Sequence, residues 1–328
     1  MRNINRRQWI LSAGAGLISS TRNTRNNQGP TASKNYRIVD AHVHVWSSNF
    51  TRYPLAPGFE PKDLWLPSFS AEKLLKKAHS SGVTRMNLIQ MTWYGLDHSY
   101  IQDVITSDPE HFVGTGIIPA VTDVALPSPD KTMVALSKKG IYAFRIRGRS
   151  NRPPLGGGSR WMDHPGFDKM FKTGAEHNLA LSFLMGPRDI PEVSRMCESF
   201  PETPVILDHL SGVHENSSPE EVTSLLQMAR HKRVMIKVGA FYGKGRMPPY
   251  LSLLPLIERV VAAFGPERCM WESDAPMPPD RPSQNSSSGP PHGIEPAVAL
   301  IRDHADFLSS SDKKQILVKT AENFFFKR

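Results

Sequence analysis

The chain is short of several features, and each shortage removes a class of protein. No apolar run approaches the roughly 20 residues that cross a bilayer, so stable membrane insertion is not expected. Two cysteines, Cys197 and Cys269, are too few for a disulfide framework. Both read as small buried side chains, one in a helix and one opening a strand. The formal net charge is +9, yet residues 1–33 hold five arginines (Arg2, Arg6, Arg7, Arg22 and Arg25) and no acid. Beyond them basic and acidic residues interleave. No basic stripe with aromatics between its charges is present, which argues against a nucleic-acid partner. There is no internal repeat and no sign of a second domain.

The first residues read as an address. Asn5-Arg6-Arg7-Gln8-Trp9-Ile10-Leu11 leads into a short, weakly apolar run rich in small residues, ending near Ile18. A basic start, an apolar segment and a polar stretch form signal-peptide organisation. Paired arginines before bulky apolar residues resemble a twin-arginine signal, which implies the Tat export machinery as partner and a periplasmic or otherwise exported location. Residues 19–35 read as a linker. The domain division is therefore 1–35 for signal and linker, and 36–328 for the folded domain.

In that domain, short apolar or β-branched runs alternate with segments of helical period. Strands are expected at Arg37–Val45, Val83–Met91, Phe112–Pro119, Tyr142–Arg147, Leu179–Met185, Val205–Leu210, Val234–Phe241 and Cys269–Ser273. Ser70 is placed to cap the first helix. Eight βα units over this length predict a single-domain α/β fold, a (β/α)8 TIM barrel. A doubly wound sheet would show a glycine-rich turn after its first strand; this one ends in His-Val-His-Val-Trp. Extended loops at residues 46–69, 148–164 and 275–293 would lie at the C-terminal face, where barrel chemistry sits. The last, rich in proline, reads either as an insertion or as a lid.

Chemistry concentrates at strand ends. In Asp40-Ala41-His42-Val43-His44, side chains alternate, so Asp40, His42 and His44 share one side. Two imidazoles so spaced can reach one metal ion. His209 ends the sixth run and Asp274 the eighth. Arg145, Arg147 and Arg149 end or follow the fourth, where a guanidinium can clamp a substrate carboxylate or pair with surface acids. Gln90, Trp93 and Tyr94 follow the second, where a ring-shaped ligand could stack. Lys237 reads as structural, and His164, His214 and His292 as loop histidines.

Asp-Ala-His-Val-His-Val-Trp at 40–46, Val-Ile-Leu-Asp-His-Leu at 205–210, Trp-Glu-Ser-Asp-Ala-Pro at 271–276 and Ile-Leu-Val-Lys-Thr-Ala-Glu-Asn-Phe at 316–324 resemble the amidohydrolase superfamily, and within it the amidohydrolase-2 branch of lactonases and decarboxylases. The resemblance implies that His42, His44, His209 and Asp274 hold a divalent metal, with zinc first and manganese second, or polarise substrate directly without one. It makes Asp274 the base toward water and His209 a ligand or carbonyl-polarising group; Arg145, from its place at the end of strand four, is a further catalytic candidate. Strand four has no lysine and strand five no histidine, so at most one metal is expected. Glu272 departs from the pattern, standing where relatives carry a small residue such as glycine. The implied activity is hydrolysis of a lactone of sugar-acid or aromatic-degradation type, on a small molecule that can carry a carboxylate. A metal-dependent non-oxidative decarboxylase, with Asp40 at a ligand position, is the alternative; a catalytically dead exported binding protein is the third reading.

Overall fold

The computed structural model describes residues 37–150, 152, 158–243, 246–277 and 292–327. The expected export signal, the centre of the 148–164 loop and the centre of the 275–293 loop lie outside these residues. Eight parallel strands run in sequence order: β1 Ile38–Val43, β2 Val83–Ile89, β3 Phe112–Gly116, β4 Ile141–Arg147, β5 Ala180–Leu184, β6 Val205–Leu207, β7 Val234–Gly239 and β8 Cys269–Glu272. The circle closes where Asp274 N donates to the His42 carbonyl at 3.0 Å and His44 N to the Ala275 carbonyl at 2.8 Å. This is the expected (β/α)8 barrel.

Helices α1 Ala71–His79, α2 Ser99–Ser107, α3 Pro129–Ser137, α4 Pro165–His177, α5 Ile190–Ser199, α6 Pro219–Gln227 and α7 Leu254–Phe264 connect successive strands. Their starts follow the local chemistry. Ser70 accepts from Lys73 N to cap α1, and Ser218 with Glu221 forms a reciprocal cap on α6. The closing helix, α8 Thr320–Phe325, buries Ala321 and Phe325 while Phe324 is half-buried. Among the described residues no helix is long and apolar enough to cross a membrane. Both cysteines are buried and unpaired, and burial pushes the Cys197 thiol up to about 12.

Several strands stop earlier than alternation suggested. β6 is the clearest case. After Leu207 the chain enters the left-handed region at His209, Leu210 and Ser211, with φ of 52°, 53° and 53°. Three such residues in a row cannot continue a strand, and none is glycine. The turn swings His209 inward over the barrel axis. The barrel interior below is polar: Asp40, Asn87, Thr115, Ser182 and Lys237 are all buried.

Candidate active site

His42 and His44 lie at the C-terminal end of β1, and Asp274 just beyond β8. The closing hydrogen bonds between those strands fix their separation. His44 Nε2 is 3.1 Å and His42 Nε2 3.6 Å from Asp274 Oδ1. Tyr242, after β7, donates its hydroxyl to Asp274 Oδ2. Asp274 itself has φ 58°, a left-handed turn that aims its carboxylate back over the barrel. His209 packs its ring 4.5 Å from that of His42, and its Nδ1 lies 2.7 Å from Glu272 Oε1. The four residues that the sequence singled out therefore share one buried cluster.

Beneath them is a layer that alternation alone did not reveal. Lys237, fully buried in β7, donates to Asp208 Oδ1 at 2.9 Å and lies 3.1 Å from His42 Nδ1. Ser182 also donates to Asp208 Oδ1, at 2.9 Å. Arg145 turns inward from β4, its terminal nitrogen 3.2 Å from His42 Nε2 and 3.6 Å from Asp208 Oδ2. Asp40 does not join the converging ligand atoms. Its Oδ1 accepts from the backbone N–H groups of His42 and Ser273 at 3.1 and 3.0 Å, so it braces the strand ends instead.

Electrostatics separate the roles. Burial pushes Asp274 upward, but the positive charge of His209 beside it outweighs this and holds the carboxyl well below the usual range. His209 shows the converse: burial disfavours its cation, yet the charges of Glu272 and Asp274 raise it to about 8. At neutral pH the site thus pairs an ionised carboxylate with an imidazolium. His44 is driven down to about 4 by burial and stays neutral. Burial and the Lys237 ammonium lower His42 as well. Asp40, desolvated and with Oδ2 lacking a hydrogen-bond partner, rises to about 7.

The donor set fits one divalent ion. His44 Nδ1 faces the Ile89 carbonyl at 3.2 Å; a carbonyl only accepts, so Nδ1 carries the proton and Nε2 presents a lone pair. That lone pair confronts a carboxylate oxygen at 3.1 Å, an acceptor–acceptor contact that a cation between them would relieve. His42 Nε2, 3.6 Å from the same carboxylate oxygen, is the atom this ring presents toward that point, with the Arg145 guanidinium beside it at 3.2 Å. His42, His44 and Asp274 are thus the ligands such an ion would take. The second convergent trio, His42, His209 and Glu272, is already joined by the His209–Glu272 hydrogen bond.

The model of the amidohydrolase-2 family, described as amidohydrolase, matches residues 39–327. The chain belongs to the amidohydrolase-2 family. It is similar to an L-fucono-1,5-lactonase of Burkholderia ambifaria, with 26% identity over 253 residues, 73% of this chain and 80% of that protein. Among solved structures it resembles a probable 2-pyrone-4,6-dicarboxylic acid hydrolase of Acinetobacter baumannii with citric acid bound, at TM-score 0.67 and 17% identity, covering 88% of this chain and 99% of that one. It also resembles a zinc-bound amidohydrolase of Burkholderia multivorans, at TM-score 0.65 and 15% identity, covering 88% and 98%.

This amidohydrolase departs from its sequence reading at the barrel mouth. Gln90 is buried and donates to the Gly95 and Asp97 carbonyls, at 3.2 and 2.6 Å. Trp93 packs edge-on against Trp46 and Trp65, and the Tyr94 hydroxyl accepts from Ser47 N at 3.0 Å. Trp93 and Tyr94 brace the 46–69 loop and Gln90 the turn after β2, rather than offer a free face for a ring. His164 caps α4 by accepting from Gly166 N. Tyr242, Asp208 and the inward reach of Lys237 were not singled out as site groups. Asp208 adjoins His209, but Tyr242 carries no motif and is recruited by the loop that follows β7.

A cavity of about 320 Å³ opens beside this cluster, at the ends of β2 to β4. Arg145, Arg147, Arg149 and Arg152 line it, with Trp161 and Phe167 as apolar walls, and among the described residues no carboxylate does.

Proposed function

We propose that this amidohydrolase opens a lactone by hydrolysis. The observation that carries the reading is Asp274: an ionised, buried carboxylate oriented by Tyr242, with His209 and Arg145 bringing positive charge to the same cluster. A water beside Asp274 gives up a proton to the carboxylate as its oxygen bonds to the ring carbonyl carbon. The His209 imidazolium and the Arg145 guanidinium stabilise the charge that develops on the carbonyl oxygen. Collapse breaks the ring C–O bond, and Asp274 returns the proton to the departing oxygen. Atoms and charge balance, and no redox partner is needed. A divalent ion held by His42, His44 and Asp274 would, when bound, acidify water and polarise the carbonyl. The similarity to a lactonase supports the same reaction.

The arginine-lined cavity supports a substrate that bears a carboxylate. Desolvation, then repulsion from Arg145 and Arg152, lowers the Arg147 guanidinium below its ordinary value. An anion placed there would relieve that repulsion and can bind through two parallel hydrogen bonds. The decarboxylase alternative gains nothing from Asp40, which is not among the residues whose donor atoms converge.

The test is a panel of neutral and carboxylate-bearing lactones, assayed with protein purified without chelators and analysed for bound metal. Ring-opened acid should appear, faster from carboxylate-bearing members. Release of carbon dioxide from an aromatic acid, with every lactone inert, would replace this reading with the lyase.

A further inference from the structure

Glu272 is a fully buried charged group of the cluster that the hydrolytic cycle does not use. It stands at the end of β8, two residues before Asp274. Its Oε1 accepts twice from one residue: from His209 Nδ1 at 2.7 Å and from His209 N at 3.1 Å. Its Oε2 has no hydrogen-bond partner of good geometry and lies 3.2 Å from His42 Nδ1. Space for this side chain comes from the neighbouring strand. Glu272 pairs in register with Gly239, and a Cβ at Gly239 would lie 2.1 Å from Glu272 Cγ. A larger residue at 239 would collide with the carboxylate's stem.

The two bonds do different work. The backbone bond anchors a turn in which His209, Leu210 and Ser211 all hold left-handed φ without glycine, a conformation that needs support from its surroundings. The ring bond settles where the imidazole proton sits. A carboxylate acceptor on Nδ1 keeps a proton on that nitrogen, neutral ring or charged, and leaves Nε2 as the remaining polar atom of a half-buried ring. Lys237 and Asp208 hold His42 from below, and Tyr242 holds Asp274; among these partners none reaches the His209 ring.

We infer that Glu272 is the positioning residue of this active site: it fixes the His209 ring and keeps the proton on Nδ1, so that Nε2 is the nitrogen offered to substrate. The kinetic part of this rests on the lactonase reading; the state of the His209 ring does not.

The experiment is nitrogen-15 NMR of histidine-labelled full-length protein, with His209 assigned through His209→Gln, together with kinetics on any lactone that turns over. In the parent protein His209 should show a protonated, hydrogen-bonded Nδ1. Glu272→Gln keeps an acceptor oxygen and should retain that signal. Glu272→Ala should lose it, with kcat down about 10- to 100-fold and KM little changed, as for other partners that orient an active-site imidazole. An unprotonated Nδ1 in the parent, loss of the signal in Glu272→Gln, or its survival in Glu272→Ala would each overturn the inference. Glu272→Gln is nearly isosteric, so the test stands even if Glu272→Ala does not fold. If no lactone is hydrolysed, the lactonase reading fails while the NMR result still decides the role of Glu272.

Discussion

Asp274→Asn is the sharpest perturbation of the proposed chemistry, because the site tolerates the shape and loses only the charge. Asp274 sits at φ 58°, and asparagine is among the few residues that occupy the left-handed region readily. Its backbone N–H, bonded to the His42 carbonyl at 3.0 Å, is untouched. An asparagine oxygen can still accept from Tyr242, and its amide can donate to the lone pair of His44 Nε2, removing an acceptor–acceptor contact. The fold should therefore persist, with a melting temperature close to that of the parent. What disappears is the group that takes a proton from water. Loss of a general base costs about 10²–10⁴ in rate, equivalent to roughly 3–5 kcal/mol in the barrier. The assay is the initial rate of ring opening on the best lactone of the panel, read as kcat and KM separately, with bound metal measured on the same samples. A folded Asp274→Asn protein that keeps kcat within about threefold of the parent would refute the assignment of Asp274 as base.

Two further substitutions probe the layer below. Asp40 is raised from 3.8 to about 7, chiefly by burial. A raised carboxyl contributes stability that is complete below pH 3.8 and lost as pH climbs through about 7. Asp40→Asn keeps an oxygen for the His42 and Ser273 amides, so its stability relative to the parent should grow between pH 4 and pH 8, by up to roughly 4 kcal/mol. Equal melting differences across that range would show that Asp40 does not titrate there. Lys237→Met strands the Asp208 carboxylate in the barrel and should cost about 3–5 kcal/mol in urea unfolding, partly recovered on adding Asp208→Asn. A double variant no more stable than the single one would deny that Lys237 and Asp208 are coupled.

Much of this molecule is legible along the chain. Eight apolar runs separated by helical segments predict the barrel, because each strand must bury its side chains against helices and the barrel axis. The period of two in β1 puts Asp40, His42 and His44 on one side. Boundaries were less legible: β6 was read to Leu210 but stops at Leu207, since nothing in Asp-His-Leu-Ser announces a left-handed turn without glycine. Gln90, Trp93 and Tyr94 looked available for a ligand because sequence shows residue type and not what packs against it.

The sequence by itself determined the fold class, the family and the four ionisable groups at strand ends, because those follow from periodicity and from motifs local to single strands. Only the tertiary structure decided which groups touch. Closure of β8 onto β1 brings Asp274 against His44 across 230 positions of sequence. Burial in a shared interior then assigns the protons, leaving Asp274 ionised, His209 charged and His44 neutral. Those states depend on distances between side chains remote in sequence and on exclusion of water, and neither quantity exists until the barrel has closed.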